Sequence, residues 1–273
     1  MPPRLPRPNT RRPGCHIGPR VQLSVMGNHT HADAEKPSTL QRGLSLIWPA
    51  CEKFWRLSQR EDEIFKNVIE FANTLERTGQ QPLFELIKLL LRPLQSSRIA
   101  SVVERPAHAA GNGIRSWTFF MGEKHSYLFL DNFARIEGNE EFKVRLTSDV
   151  ILPSPWSRCA MASALANVGT GKPHGPWRQD SNHYLELWLP WRIAFVIGGN
   201  HSIAAGIIAG EGELIPRYAY DMSRVLDIVS CDGAYYRFRQ TGKAIAKVAN
   251  QRIAAVFEIG RLIRSFGKAS NEQ

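Results

Sequence analysis

Cysteine is scarce in this chain and forms no paired motif. The 273 residues contain four widely spaced cysteines, with no CxxC pair among them. This pattern excludes a four-cysteine zinc ribbon and gives no support to a disulfide scaffold. We therefore expect a protein of the reducing cytoplasm. The cysteines are Cys15, Cys51, Cys159 and Cys231.

Long apolar runs are also lacking. No uninterrupted apolar stretch approaches the roughly 20 residues that a membrane-spanning helix needs, and candidates such as Ile193 to Ile197 have the length of a strand. Apolar residues make up 43% of the chain and charged residues 22%. This ordinary composition excludes collagen-like and coiled-coil classes and predicts a folded core without a membrane partner.

Acidic residues are missing from the first 25 positions, which carry five arginines and six of the 17 prolines. Such a segment has too little apolar surface to offset its ordering entropy, so we predict a disordered basic leader over residues 1–43. A phosphate-binding arm and a translation start at Met26 are the alternatives. The arm supplies half of the net charge of +10, and the remainder is too modest to indicate nucleic acid by itself.

Residues 44–104 have a helical pattern. Residues 58–61 have capping-box spacing, and apolar residues then recur at helical intervals over 64–75. Pro82 suits the first turn of a further helix. We predict a helical N-terminal region over 44–104.

Residues 105–240 mix strand and helix patterns. We expect a hairpin over 117–129, a strand at 150–152, a helix over 157–168, strands at 184–189 and 193–197, a helix to Ala209, a strand over 214–220 and a hairpin turn at Asp232-Gly233. Residues 241–273 are predicted to form a long closing helix and a tail, with Ile253 and Ile259 in the core. The fold class is therefore α+β.

The segment with the clearest chemical pattern is an apolar strand that ends in Gly198-Gly199-Asn200-His201-Ser202 and continues as a helix. N–H groups at a helix N-terminus point outward unpaired, and phosphate is their natural ligand. We expect Asn200 or Ser202 to cap the helix and His201 to donate a hydrogen bond to the anion. The alternative is a tight strand-to-helix turn with no ligand.

This segment resembles the Gly-x-His-Arg/Ala motif of the ParB and sulfiredoxin-like superfamily. Residues 150–158, a strand followed by prolines and Arg158, resemble the upstream box of that family, and the similarity covers residues 142–225. It implies a ParB/sulfiredoxin-like domain that binds a nucleoside triphosphate with magnesium, its phosphates held by Gly198, Gly199, Asn200, His201, Ser202 and Arg158.

Two departures from the family pattern change what the resemblance implies. Ser202 stands where the family has an arginine, so we consider Arg158, Arg192 and Arg217 as compensating cations. Asn200 occupies the position that corresponds to the catalytic cysteine of sulfiredoxin, so the redox chemistry of that enzyme is not expected. The segment also resembles the Gly-Gly-Asp-His-Ser metal motif of arginase-type ureohydrolases, but the other carboxylates of that site have no counterpart, and we expect no metal site.

We therefore expect a ParB-like nucleotide-binding protein with an NTPase or nuclease-related activity. One alternative is a non-catalytic adaptor that binds nucleic acid or a protein partner. Another is a hydrolase of unknown type that uses the loop over 174–183. The candidate catalytic residues are His201, His183 and Asp180. Four tryptophans around the motif either stack on a base or pack in the core: Trp156, Trp177, Trp188 and Trp191. The basic face of 241–268 either contacts phosphates or is solvated.

Overall fold

The computed structural model describes residues 61–105 and 115–271. The fold is α+β, as predicted. The leader over 1–43 and the helical pattern before Glu61 lie outside the described residues. The α-helices of the described ranges are α1 (Glu61–Glu76), α2 (Gln81–Glu104), α3 (Tyr127–Leu130), α4 (Arg158–Asn167), α5 (Asn200–Ala209), α6 (Ser223–Ile228) and α7 (Gln251–Asn271).

A five-stranded mixed sheet organises the domain. The strands of the fold are β1 (Ala134–Glu137), β2 (Val144–Arg145), β3 (Val150–Leu152), β4 (Tyr184–Leu189), β5 (Ile193–Gly198), β6 (Glu213–Leu214), β7 (Tyr218–Asp221), β8 (Val229–Cys231), β9 (Tyr235–Phe238) and β10 (Ala244–Lys247). The strand order in the five-stranded sheet is β1-β7-β4-β5-β3. β3 and β5 are parallel, β4 and β5 form an antiparallel hairpin, β4 and β7 are parallel, and β1 closes the edge antiparallel to β7.

The N-terminal helices follow the predicted pattern, and the second of them, α2, contains an internal proline. It continues through Pro93 to Glu104. Its buried positions keep helical spacing on both sides of the proline, because Leu91, Ile99 and Val102 all pack inward. Core burial along one face therefore offsets the cost that an internal proline imposes on a helix.

The predicted hairpin over 117–129 is wrong. This segment forms 3₁₀ turns at Ser116–Thr118 and Glu123–His125, followed by α3. Phe119, Phe120 and Phe129 are buried on the core, and Phe120 contacts both other rings. Alternation in the sequence here reflects aromatic packing on the core and not a two-stranded ladder.

The predicted strand over 214–220 divides into β6 and β7, which belong to different sheets. The predicted closing helix starts later than residue 241, because residues 244–247 form β10 and pair with β9. The helix α7 begins at Gln251. Strand pairing is a long-range interaction, and helical periodicity in residues 241–250 could not reveal it.

The core lies on both faces of the main sheet. On one face α7 packs against the sheet, and Ile259 is fully buried while Ile253 is only half-buried. Three of the four tryptophans are buried, at positions 177, 188 and 191. Trp156 is the exception, with 67% of its surface exposed. None of the helices within the described ranges combines the length and apolar composition that a bilayer crossing requires.

Candidate anion site at the ends of two parallel strands

Two neighbouring parallel strands deliver two helices to the same edge of the sheet. Leu152 of β3 is level with Phe195 of β5, and each strand leads into a helix, α4 with N-cap Ser157 and α5 with N-cap Gly199. The turns that follow the strands therefore lie side by side. We call residues 153–157 and 198–202 the strand-exit edge. Ligands of open α/β sheets commonly bind at such an edge, beside the carboxyl ends of the strands.

Side chains of α5 hold the neighbouring turn in place. The Asn200 Oδ1 atom accepts the N–H of Ser154 at 2.6 Å. The His201 Nε2 atom accepts the N–H groups of Trp156 and Ser157, at 3.2 and 3.0 Å. Because those two donors precede α4, His201 fills the N-terminus of that helix as an acceptor. Its Nε2 atom is therefore unprotonated and does not donate to a ligand. Burial lowers the pKa of His201, which is consistent with this neutral state.

The helix α5 begins without a side-chain cap. Gly199 is its N-cap residue, in the left-handed conformation with φ of 74°, and supplies no capping oxygen. The first N–H of α5 that donates to a backbone carbonyl is that of Ile203, which lies 2.9 Å from the carbonyl oxygen of Gly199. Within 61–105 and 115–271, the N–H groups of Asn200, His201 and Ser202 have no acceptor. The expected capping by Asn200 or Ser202 is therefore wrong, since both side chains bond elsewhere.

The two glycines allow close approach of the chain's own strand β4. A Cβ atom at Gly199 would overlap the His183 ring, and one at Gly198 would overlap the Asn182 carbonyl oxygen and the Tyr184 ring. Their small size thus serves packing between β5 and the start of β4. Asn200, His201 and Ser202, the first residues of α5, are half-buried.

The catalytic candidates of the preceding loop are engaged within the protein. His183 is buried, with 7% of its surface exposed, and its Nδ1 atom accepts the N–H of Asp180 at 2.9 Å. Burial lowers the pKa of His183, opposed by the Asp180 carboxylate. The His183 ring packs on Trp177, with centroids 4.7 Å apart. The structure brings His183 against Gly199, whereas His201 faces the turn before α4.

Ser202, which stands where the ParB and sulfiredoxin-like motif has an arginine, accepts a hydrogen bond from a tryptophan. The Trp177 indole N–H lies 3.0 Å from both the Oγ and the carbonyl oxygen of Ser202. The Trp177 ring fills the space against Gly206 and Gly212, where a Cβ atom would collide with it. Loop 169–182 is anchored to α5 in this way, so an arginine at position 202 would disturb packing.

The three arginines considered as compensating cations occupy different places. The Arg158 guanidinium donates to the carbonyls of Val102, at 3.3 Å, Val103, at 2.8 Å, and Arg105, at the C-terminal end of α2. Arg192 lies in the β4–β5 turn, at the opposite edge of the sheet. Arg217 immediately precedes β7, which runs parallel to β4. Because the start of β4 pairs with Gly198, Arg217 lies at the same end of the strands as Gly198, and it is exposed. Of the three, Arg217 is the one that is exposed and at the same end of the strands as the turn, with its guanidinium 5.3 Å from the centroid of the Tyr218 ring.

Two exposed aromatic side chains flank the strand-exit edge. The Trp156 ring stands edge-on to His201, with centroids 5.3 Å apart. Tyr184 pairs with Gly198 in the β4–β5 register and is 44% exposed. Tyr184 was missed by sequence reasoning, because its position beside the motif depends on that register. Trp156 was recognised as a residue that could stack on a base, but its exposure was not predictable.

Among the described residues, no cluster of metal-binding side chains lies at this edge. In the part of the chain that the structure describes, no group of three or more His, Cys, Asp or Glu side chains is arranged to hold a metal ion. The donors at the edge are backbone N–H groups, which suit an anion.

Comparison with known proteins gives a family without a described activity. A family model matches residues 51–270, and its description is "Family of unknown function (DUF6710)". Searches of the curated proteins and of the solved structures found no match. The site must therefore be interpreted from its own geometry.

Proposed function

Because the chain belongs to the DUF6710 family, whose function is unknown, we propose a function from the site itself: the protein binds a nucleotide at the strand-exit edge. In this proposal the phosphates accept hydrogen bonds from the N–H groups of Asn200, His201 and Ser202. The resemblance of this turn to the ParB and sulfiredoxin-like motif supports the same ligand class.

The difference between the two neighbouring helices carries the proposal. The N-terminus of α4 is satisfied by Ser157 Oγ, which accepts the N–H of Ala160 at 3.2 Å, and by His201. The N-terminus of α5 has no side-chain cap. Unpaired N–H groups and the positive end of the helix dipole coincide there, and a phosphate group complements both.

The aromatic side chains favour a nucleotide over inorganic phosphate. Trp156 and Tyr184 expose large faces on either side of the turn. Stacking a base on such a side chain contributes about 1–3 kcal/mol. An exposed tryptophan beside an anion site otherwise costs solubility, because apolar surface remains in water.

The expected affinity is modest and sensitive to salt. Because Ser202 stands in place of the arginine of the ParB and sulfiredoxin-like motif, the turn lacks that charge, and Arg158 is held at the end of α2. Arg217 is the cation that we assign to the phosphates, and an exposed charge is strongly screened at physiological ionic strength. Magnesium would bind as a complex with the nucleotide phosphates, since no cluster of carboxylates lies at the edge within the described residues.

Binding, and not catalysis, is the role that these contacts favour. His201 and His183 both accept backbone N–H groups, and Asp180 Oδ1 accepts the N–H of Asn182 at 2.7 Å. We assign these three side chains to positioning the loops around the α5 N-terminus. The hydrolase and nuclease-related activities considered from the sequence are not part of this proposal.

Thermal-shift and calorimetric titrations with a panel of nucleotides, with and without magnesium, test the proposal. A ligand at about 100 times its Kd stabilises the native state by about 2.7 kcal/mol, which raises the Tm of a domain of this size by roughly 5–10 °C. Absence of a shift with every nucleotide would contradict the proposal.

Paired variants locate the binding site. Trp156→Ala is expected to weaken nucleotide binding roughly fivefold or more through lost stacking. Its control is Ile208→Ala, an exposed apolar residue at the other end of α5. Arg217→Gln is expected to weaken binding mainly at low salt, with the exposed Arg145→Gln as its control. Equal effects of the variants and their controls would place the ligand elsewhere.

A further inference from the structure

A stretch of the chain near the C-terminus has basic residues and no acidic ones. Residues 233–257 contain five Lys and Arg residues and neither Asp nor Glu. They form β9, β10 and the start of α7. The positive charge of this stretch therefore lies on one small part of the fold. The five are Arg237, Arg239, Lys243, Lys247 and Arg252.

This stretch borders the groove of about 1020 Å³ between α1, the β8–β9 turn and the β10–α7 junction. Lys66 of α1, Lys247 and Arg252 contribute exposed cations from three separate elements. None of these three side chains takes part in an ion pair among the described residues. The acidic residue in the lining is Asp232, and its carboxylate is already held by Arg237 at 2.5 Å. The groove therefore has a net positive lining.

The walls of the groove are not entirely polar. Ile64, Phe65 and Ile69 of α1 line it and are half-buried. The junction opposite them is fixed, because Gln251 Nε2 donates to the carbonyl of Gly233 at 2.5 Å and Asn250 Oδ1 accepts the N–H of Ile253 at 3.1 Å. The groove thus presents cations at its rim, an apolar wall and the N-terminus of a long helix.

We propose that this groove binds single-stranded nucleic acid. The phosphates lie along Lys66, Lys247 and Arg252, and the bases lie against the apolar wall of α1. Proteins that bind single strands without sequence preference combine a cationic track with aromatic side chains on which bases stack, and Phe65 is the aromatic residue of this wall. At about 1020 Å³ the groove is at the upper end of the range for small-molecule pockets, which suits a chain with several phosphates. This surface is separate from the strand-exit edge, and the proposal does not depend on nucleotide binding there.

Fluorescence anisotropy with a labelled oligothymidylate of about 15 nucleotides tests the proposal over a range of salt concentrations. Each phosphate contact to a single strand contributes about 0.7 to the slope of log K against log salt. The triple variant Lys66→Gln, Lys247→Gln, Arg252→Gln should therefore lower the slope by about two. Its affinity at low salt should fall at least tenfold. Circular dichroism and Tm should stay close to those of the unchanged protein, because all three side chains are exposed.

A control variant with the same loss of charge distinguishes binding in the groove from a general effect of the protein's net charge. Lys124→Gln, Arg145→Gln, Arg178→Gln removes three exposed cations outside the groove and should change the affinity less than twofold. Equal losses in both triple variants, or no binding by the unchanged protein at low salt, would overturn the proposal. Competition by poly-glutamate as effective as that by unlabelled oligothymidylate would also overturn it, because the groove would then be a site for acidic polypeptide. If the triple variant misfolds, Lys247→Gln alone should still lower the slope by about 0.7.

Discussion

Replacing His201 by alanine separates its role as an acceptor from a role as ligand donor. The side chain accepts two N–H groups at the start of α4, and alanine leaves both without a protein partner. Loss of a helix cap typically costs about 0.5–2 kcal/mol. Trp156 is exposed, so water can satisfy its N–H, and the main loss comes from the half-buried Ser157. We expect a destabilisation of about 1–2 kcal/mol, or roughly 2–8 °C in Tm.

The pH dependence of the same variant follows from the direction of the pKa shift. The pKa of His201 is lowered from 6.5 by burial, so the folded protein binds fewer protons than the unfolded chain below that pH. The stabilising contribution of neutral His201 is therefore complete above about pH 6.5 and is lost as the pH falls toward the folded-state value. His201→Ala should flatten the decline of Tm on acidification. Part of the decline of Tm on acidification should remain in this variant, because burial lowers the pKa of His183 as well.

Thermal denaturation between neutral and mildly acidic pH measures both effects. His201→Gln is the matched variant, since its Oε1 atom can accept the same N–H groups, and it should recover much of the stability without the pH dependence. His174→Ala, an exposed histidine of the neighbouring loop, is the control. An unchanged Tm and an unchanged acid slope for His201→Ala would refute the cross-link between the two turns.

Three further substitutions test the packing around the site by chemical denaturation. Gly199→Ala should destabilise by at least about 2 kcal/mol, since the residue has a positive φ and a Cβ would strike the His183 ring; wild-type stability would contradict that contact. Ser202→Arg should cost about 1–3 kcal/mol by displacing the Trp177 indole, and tighter nucleotide binding without that loss would count against the structural role of Ser202. Ile259→Ala should cost about 2–5 kcal/mol because the side chain is fully buried, and a cost below about 1 kcal/mol would contradict its core position.

Local patterns in the sequence were sufficient to predict the β5–α5 turn. An apolar strand, two glycines and an alanine-rich helix occur within about fifteen residues, and each follows from short-range conformational preference. The glycines were predicted correctly as a turn, but their partner was not. The contact of Gly199 with His183 depends on the β4–β5 register, which single-sequence periodicity does not encode.

The partners of the site side chains could not be predicted for the same reason. The N–H groups that His201 accepts are 44 and 45 positions away in the chain, and they meet it because β3 and β5 are neighbours. Arg158 was predicted to face the phosphates, whereas the end of α2 offers it three carbonyl acceptors. Long-range packing decides which of several polar partners a side chain takes.

Amide chemical shifts during a nucleotide titration show directly whether the N-terminus of α5 holds the phosphates. Isotope-labelled protein would be titrated with the nucleotide that raises Tm most, and inorganic pyrophosphate would serve as a second probe of the phosphate contacts. We expect the largest shifts at the N–H groups of Asn200, His201 and Ser202, with smaller shifts at the Trp156 indole. Saturable binding with the largest shifts elsewhere, for example at Lys247 and Arg252, and none at residues 200–202 would contradict it.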